Sequence, residues 1–166
     1  MLRLMCAEFA DRYKKGGKQP YVKIEESGRF SVNKPPEKVV ELLAKPEVVA
    51  KLIPGVGKIE KAGDEYVGEA QVKLGHLSGK MTARFRYEAV RSDGVVVVGR
   101  ATGLQTTADF RIEVSVKPSG SGSDVYWKFA GEARGLAASL APGIVKSALK
   151  KMAEDAAINL AQFLSQ

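Results

Sequence analysis

The sequence predicts an α+β protein. A curved antiparallel sheet of about seven strands wraps around one long C-terminal helix, and two short helices follow the first strand. Three observations carry this. Segments between Tyr21 and Ala133 alternate apolar and polar residues with a period of two, and short turn sequences join them. The span from Asn33 to Gly55 breaks that rhythm with Pro-Glu pairs ahead of aliphatic stripes. From about Leu136 onward, apolar residues recur at three- and four-residue steps. Strands joined by short turns pair antiparallel. Their apolar face must be covered, and the terminal helix is the element large enough to do it.

The elements follow in order. Residues 1–20 form a basic, glycine-containing extension, with a loose helical spacing at Leu2, Met5, Phe9 and Tyr13; the domain proper spans residues 21–166. In "YVKIEESGRFSV", Val22, Ile24, Phe30 and Val32 share one face, and Gly28 on that face signals a bulge or a close approach. Pro35-Pro36-Glu37 starts a helix carrying Val39, Val40, Leu42 and Leu43, and Pro46 starts a second one that Pro54-Gly55 ends. Gly63-Asp64 divides "KIEKA" from "EYVGEAQVKL" as a hairpin. "GHLSGKMTARFRYEAV" places Met81, Ala83, Phe85, Tyr87 and Ala89 on one face, and Ser92-Asp93-Gly94 turns the chain into "VVVVGRAT". Phe110, Ile112, Val114 and Val116 point inward from the next strand. "PSGSGS" reads as a flexible loop tip, and Val125, Trp127 and Phe129 point inward from the last strand. In the tail, Val145, Leu149, Met152, Ala156, Leu160 and Phe163 form the apolar stripe, and Pro142-Gly143 offsets its first turns.

Composition narrows the function. The 166 residues fit one domain, and 45% of them are hydrophobic, enough for a real core. The longest pure aliphatic run, Val95 to Val98, is far shorter than the roughly 20 residues a membrane span needs. The first residues are too densely charged for a signal-peptide core, so the expectation is a cytoplasmic protein. Cys6 is the only cysteine, which excludes an internal disulfide. The net charge of +7 fits either an anionic partner, nucleic acid or a membrane surface, or simply a soluble basic surface. No basic motif with exposed aromatics appears, which argues against nucleic acid. The uncharged run from Gly135 to Val145, followed by Lys146, Lys150 and Lys151, suits peripheral contact with an anionic membrane face. The plainer reading makes this run the buried start of the helix.

Catalytic and metal signals are thin. His76 is the only histidine, and it lacks cysteines or placed carboxylates to complete a zinc set. Glu25-Glu26 and Glu154-Asp155 are neighbours whose side chains diverge, so neither is an acid–base couple. Gly55-Val56-Gly57 fails as a dinucleotide loop, because a helix precedes it, a strand follows it and Glu60 holds the third glycine's place. The inward faces instead carry many small residues: Gly28, Gly68, Ala70, Gly79, Ala83, Ala89, Gly131, Ala133, and with an outward Arg100 also Gly99 and Ala101. Native packing density interdigitates large with small. So many small residues imply a helix lying very close to the sheet, or a cavity for an apolar ligand.

The order of motifs resembles one family. Pro35 to Glu37, Pro46-Glu47, Ile53 to Gly55, Gly63 to Tyr66, Val72 to Gly75 and the late "GEARGLAASL" are similar to the pattern of the CoxG subunit of carbon monoxide dehydrogenase. The resemblance covers about Val22 to Phe163, and residues 1–20 have no counterpart in it. It implies a START-like (helix-grip, SRPBCC) fold enclosing an apolar cavity. It also implies a role beside a molybdenum-containing carbon monoxide dehydrogenase, in membrane recruitment or quinone handling. The expectation is therefore a non-enzymatic protein with no cofactor beyond a bound quinone or lipid. The cavity-lining candidates are Leu52, Ile53, Leu74, Met81, Phe85, Tyr87, Phe110, Trp127, Leu140 and Ile144. The alternatives are a START-like enzyme of cyclase or hydrolase type, and a purely structural interaction protein.

Overall fold

The structure is a computed structural model that describes residues 21–52 and 55–166. Seven antiparallel strands form one sheet: β1 (Tyr21–Val32), β2 (Val56–Ala62), β3 (Glu65–Leu74), β4 (Leu77–Arg91), β5 (Gly94–Gly103), β6 (Thr106–Ser119) and β7 (Gly122–Gly135). Their order in space is β1-β7-β6-β5-β4-β3-β2. Helices α1 (Pro36–Leu43) and α2 (Pro46–Leu52) link β1 to β2, and α3 (Leu136–Leu140) and α4 (Pro142–Leu164) complete the chain.

The sheet curls around α4. That helix packs against β1 and β7 at one side of the sheet and against β3 toward the other. Leu74 of β3 and Val22 of β1 lie in the same buried cluster under α3 and α4. Helix α1 covers the same face of β5, β6 and β7, and α2 bridges β2 and α4. At the far end, Val32, Val39, Leu43, Val116, Val125, Leu160 and Leu164 form a core that is almost fully buried. Burying each such side chain contributes about 1.5–3 kcal/mol, which fastens α1 and the end of α4 to the sheet.

Two local expectations change, and the alternative left at Gly28 is decided. Ala89 leaves the inward face, because a bulge on β4 between Tyr87 and Ala89 shifts the register and pairs Ala89 with Val96. "PSGSGS" is mostly strand: β6 runs to Ser119, β7 begins at Gly122, and Gly120 (φ 58°) makes the tight turn. β1 has no bulge, since its pairing with β7 is unbroken from Tyr21 to Val32. Gly28 is a close approach instead: a Cβ there would stand 2.7 Å from the Trp127 indole. The break near Pro142 falls at Ala141 (φ −143°, ψ 63°), which separates α3 from α4.

Candidate functional site: the trough between sheet and helix

The register aligns side chains in rows across the inward face. Gly68, Ala83, Ala101, Ala108 and Ala133 pair in one continuous row from β3 to β7. The next row reads Tyr66, Phe85, Gly99, Phe110, Gly131, with large and small residues alternating. The room over these glycines is occupied. Phe110 lies on Gly99, Phe129 on Gly131, Trp127 on Gly28, Ile59 on Gly68 and Leu104 on Gly79. The glycines therefore serve ring packing. The alanines of the first row are the remaining candidates for the volume expected from the small residues.

There the side chains keep accessible surface. Ala83, Ala101 and Ala108 are half-buried, as are Phe110, Ile112, Trp127 and Phe129 around them. These residues lie on β4 to β7 and point toward the helix side. In a packed sheet–helix core such positions are buried on both sides. On α4, Ala148, Met152 and Ala156 are half-buried. We take this strip, an alanine floor beside partly exposed aromatic side chains, as the candidate trough.

Its polar content is small. Over β1 and β3 to β7, the trough side carries three titratable groups, Glu26, Tyr66 and Tyr87. The Tyr87 hydroxyl donates to the Leu43 carbonyl at 2.7 Å, and burial pushes its phenol well above the ordinary value, helped by Tyr66 and Glu47. Tyr66 stacks on Phe85 with ring centroids 5.5 Å apart and meets Tyr87 edge-on at 6.4 Å. No group of three or more metal-ligating side chains forms among the described residues.

The sequence-predicted residues distribute unevenly. Phe110 and Trp127 stand on the trough walls, and Tyr87 and Leu52 pack at its closed end beside Ile112. The Leu52 carbonyl accepts a bond from Asn159 at 3.1 Å, which ties α2 to α4. Phe85 is 4% exposed beneath Val49 of α2, and Met81 is 8% exposed, so both are packing residues of the face. Leu74 is buried under α3 and α4. Ile144 lies against Gly75 in the β3–β4 turn, and Leu140 stands outside, 71% exposed. Ile53 and the 1–20 extension lie outside the described residues. Of the lysines, Lys151 bonds Asp155 at 2.8 Å, while Lys146 and Lys150 are exposed. Sequence reasoning missed Phe129 and Ile112 as walls and Leu104 as the cover of Gly79. The inward parity of Phe129 and Ile112 was visible, but their place beside the alanine row needed the cross-strand register.

The convex face differs in kind. Asp109 accepts hydrogen bonds from Arg100 at 2.6 Å and Arg134 at 2.8 Å. Burial alone would raise the Asp109 carboxyl, but the two guanidiniums outweigh it and hold it below its usual value. Arg111 pairs with both Glu88 and Glu113. Beside the β2 irregularity lies an open cleft of about 570 Å³ lined by glycines and by charges of both signs, among them Lys58, Glu60, Glu69 and Lys80. It is chemically unlike the trough.

A seven-stranded antiparallel sheet closed on its C-terminal helix defines a START-like, helix-grip protein. Solved structures agree on the fold. A conserved protein from Geobacillus kaustophilus is similar, with a TM-score of 0.72 and 16% identity over 85% of this chain and 95% of that one. A protein from Rhizobium leguminosarum matches with a TM-score of 0.63 and 11% identity, covering 89% and 97% of the two chains. The Zhui aromatase/cyclase from Streptomyces sp. R1128 matches with a TM-score of 0.59 and 16% identity, covering 86% and 91%. No curated protein matched the sequence. The family model of the carbon monoxide dehydrogenase CoxG subunit matches residues 28–165, and the chain belongs to that family. Among the described residues no helix is long and apolar enough to cross a membrane.

Proposed function

We propose that the chain is a non-catalytic, lipophile-binding accessory protein. Its partner is a molybdenum-containing carbon monoxide dehydrogenase-type enzyme, and it works at the cytoplasmic face of a membrane. A prenyl quinone or similar lipid occupies the trough. One observation carries the reading: the register-aligned alanine floor lies among half-buried aromatic walls on central strands. Apolar concavities with few polar groups are what lipophilic ligands require. The family name supplies the enzyme partner.

Catalysis draws less support. The Zhui relative is an aromatase/cyclase, so this fold can carry an active site. Acid–base chemistry needs convergent titratable groups. Here the trough side offers Glu26, Tyr66 and Tyr87, and the Tyr87 hydroxyl already bonds the Leu43 carbonyl. Native mass spectrometry of protein purified from its own host tests the reading. The expected spectrum shows a bound lipid or quinone mass. Apoprotein alone, together with unchanged Trp127 fluorescence on adding quinones, would count decisively against it.

A further inference from the structure

Two neighbouring polar groups on the trough side lack a protein partner. On β1, Ile24, Glu26 and Gly28 share the inward face; Glu26 pairs in register with Phe129 and Gly28 with Trp127. Glu26 and Trp127 are both half-buried. Among the described residues, no hydrogen bond or ion pair reaches the Glu26 carboxylate or the Trp127 indole N–H. No fully buried side-chain nitrogen or oxygen there lacks a partner, so both groups border accessible space. The Trp127 ring leans over Gly28, with its indole nitrogen 2.7 Å from where a Gly28 Cβ would stand. Gly28 thus brings an indole donor beside a carboxylate acceptor. Tyr66 and Tyr87, the other titratable groups of this face, stand on β3 and β4, across the sheet from β1.

The chemistry of the pair is selective. A carboxylate accepts hydrogen bonds, and an indole N–H only donates. Half-buried among apolar side chains, each gains from a partner. Residues 26 and 28 are about 7 Å apart along the strand, which leaves room for one oxygen between the two groups. A hydroxyl satisfies both, accepting from the indole and donating its proton to the carboxylate. A ketone or ether oxygen satisfies the indole alone and leaves the carboxylate unpaired. An inward charge can also guard an edge strand such as β1 against pairing with another chain. That role predicts no discrimination between lipids.

We propose that Glu26 and Trp127 hold the head of the trough ligand, and that this head carries a hydroxyl: the ligand is an alcohol- or phenol-bearing lipophile. The assignment rests on the lipophile-binding reading. A hydroquinone meets both groups, whereas an oxidised quinone meets only Trp127. The test is calorimetric titration of the full chain with geraniol and with geranyl methyl ether, which share a chain and differ in the donor. The wild type should bind geraniol at least about tenfold tighter, because a site built around a ligand hydroxyl rejects the analogue that lacks its proton. Glu26→Leu should bring the two affinities within about twofold of each other while still binding the ether. Trp127→Phe keeps the ring, removes the N–H and should also shrink the ratio, so it carries the test if Glu26→Leu does not fold by circular dichroism. Equal affinities in the wild type, a ratio that survives either substitution, or loss of both ligands alike in a folded variant overturns the head-group assignment and leaves the lipophile reading standing. Binding of neither compound to the wild type sinks both.

Discussion

The two ends of the molecule solve the same covering problem in opposite ways. At the closed end, Leu43, Leu164, Val39 and Val125 are at most 2% exposed, and α1 seals the sheet. At the open end, the sheet is covered by a five-residue helix whose own leucines face outward. The first is a core that fixes the fold. The second has a smaller core, with Val22, Ile24, Ala137, Ala138 and Val145 buried, yet leaves Leu136 and Leu140 in solvent.

Substitutions should sharpen this contrast in order of size. Leu43→Ala opens a hole in the closed end and is expected to cost about 2–5 kcal/mol by urea unfolding; a loss near zero would show that the core lies elsewhere. Gly28→Ala drives a methyl into the Trp127 indole, so a cost of about 1–3 kcal/mol and a shifted Trp127 emission are expected. Tyr87→Phe deletes the bond to the Leu43 carbonyl, and about 0.5–1.5 kcal/mol should go with it. Asp109→Asn reads the convex face. The folded carboxyl titrates below its unfolded value, so its contribution is present above the unfolded value and is lost as pH falls through the folded one. The variant's melting temperature should lie below wild type at neutral pH and converge on it as pH falls through the lowered value of the folded carboxyl. Leu140→Ser, at the open end, should change stability by no more than about 0.5 kcal/mol. A large loss there would erase the contrast between the ends.

Much of the fold was legible because its signals are local. Alternation located all seven strands, Pro35-Pro36-Glu37 started α1, and Gly63-Asp64 made the hairpin it announces. What failed depends on partners distant in sequence. Nothing near Ala89 reveals the bulge that turns it outward, because a bulge is a property of the pairing with β5. The site was half legible. Phe110 and Trp127 follow from parity, but Phe85 has the same parity and is buried because Val49 of α2 sits over it. The inward glycines looked like empty space, yet rings from neighbouring strands lie on them. Only the register shows that Ala83, Ala101 and Ala108 fall in one row.

That row gives the most direct test. Trp127 fluorescence, titrated with a short-chain quinone in vesicle-free solution, should compare wild type with a variant whose floor is filled by Ala101→Leu and Ala108→Leu. The expected result is saturable binding in the wild type and at least about tenfold weaker binding in the filled variant, a difference of about 1.4 kcal/mol, with both proteins folded by circular dichroism. Equal affinity in the two, or no saturable change in the wild type, would contradict a ligand seated on the alanine floor.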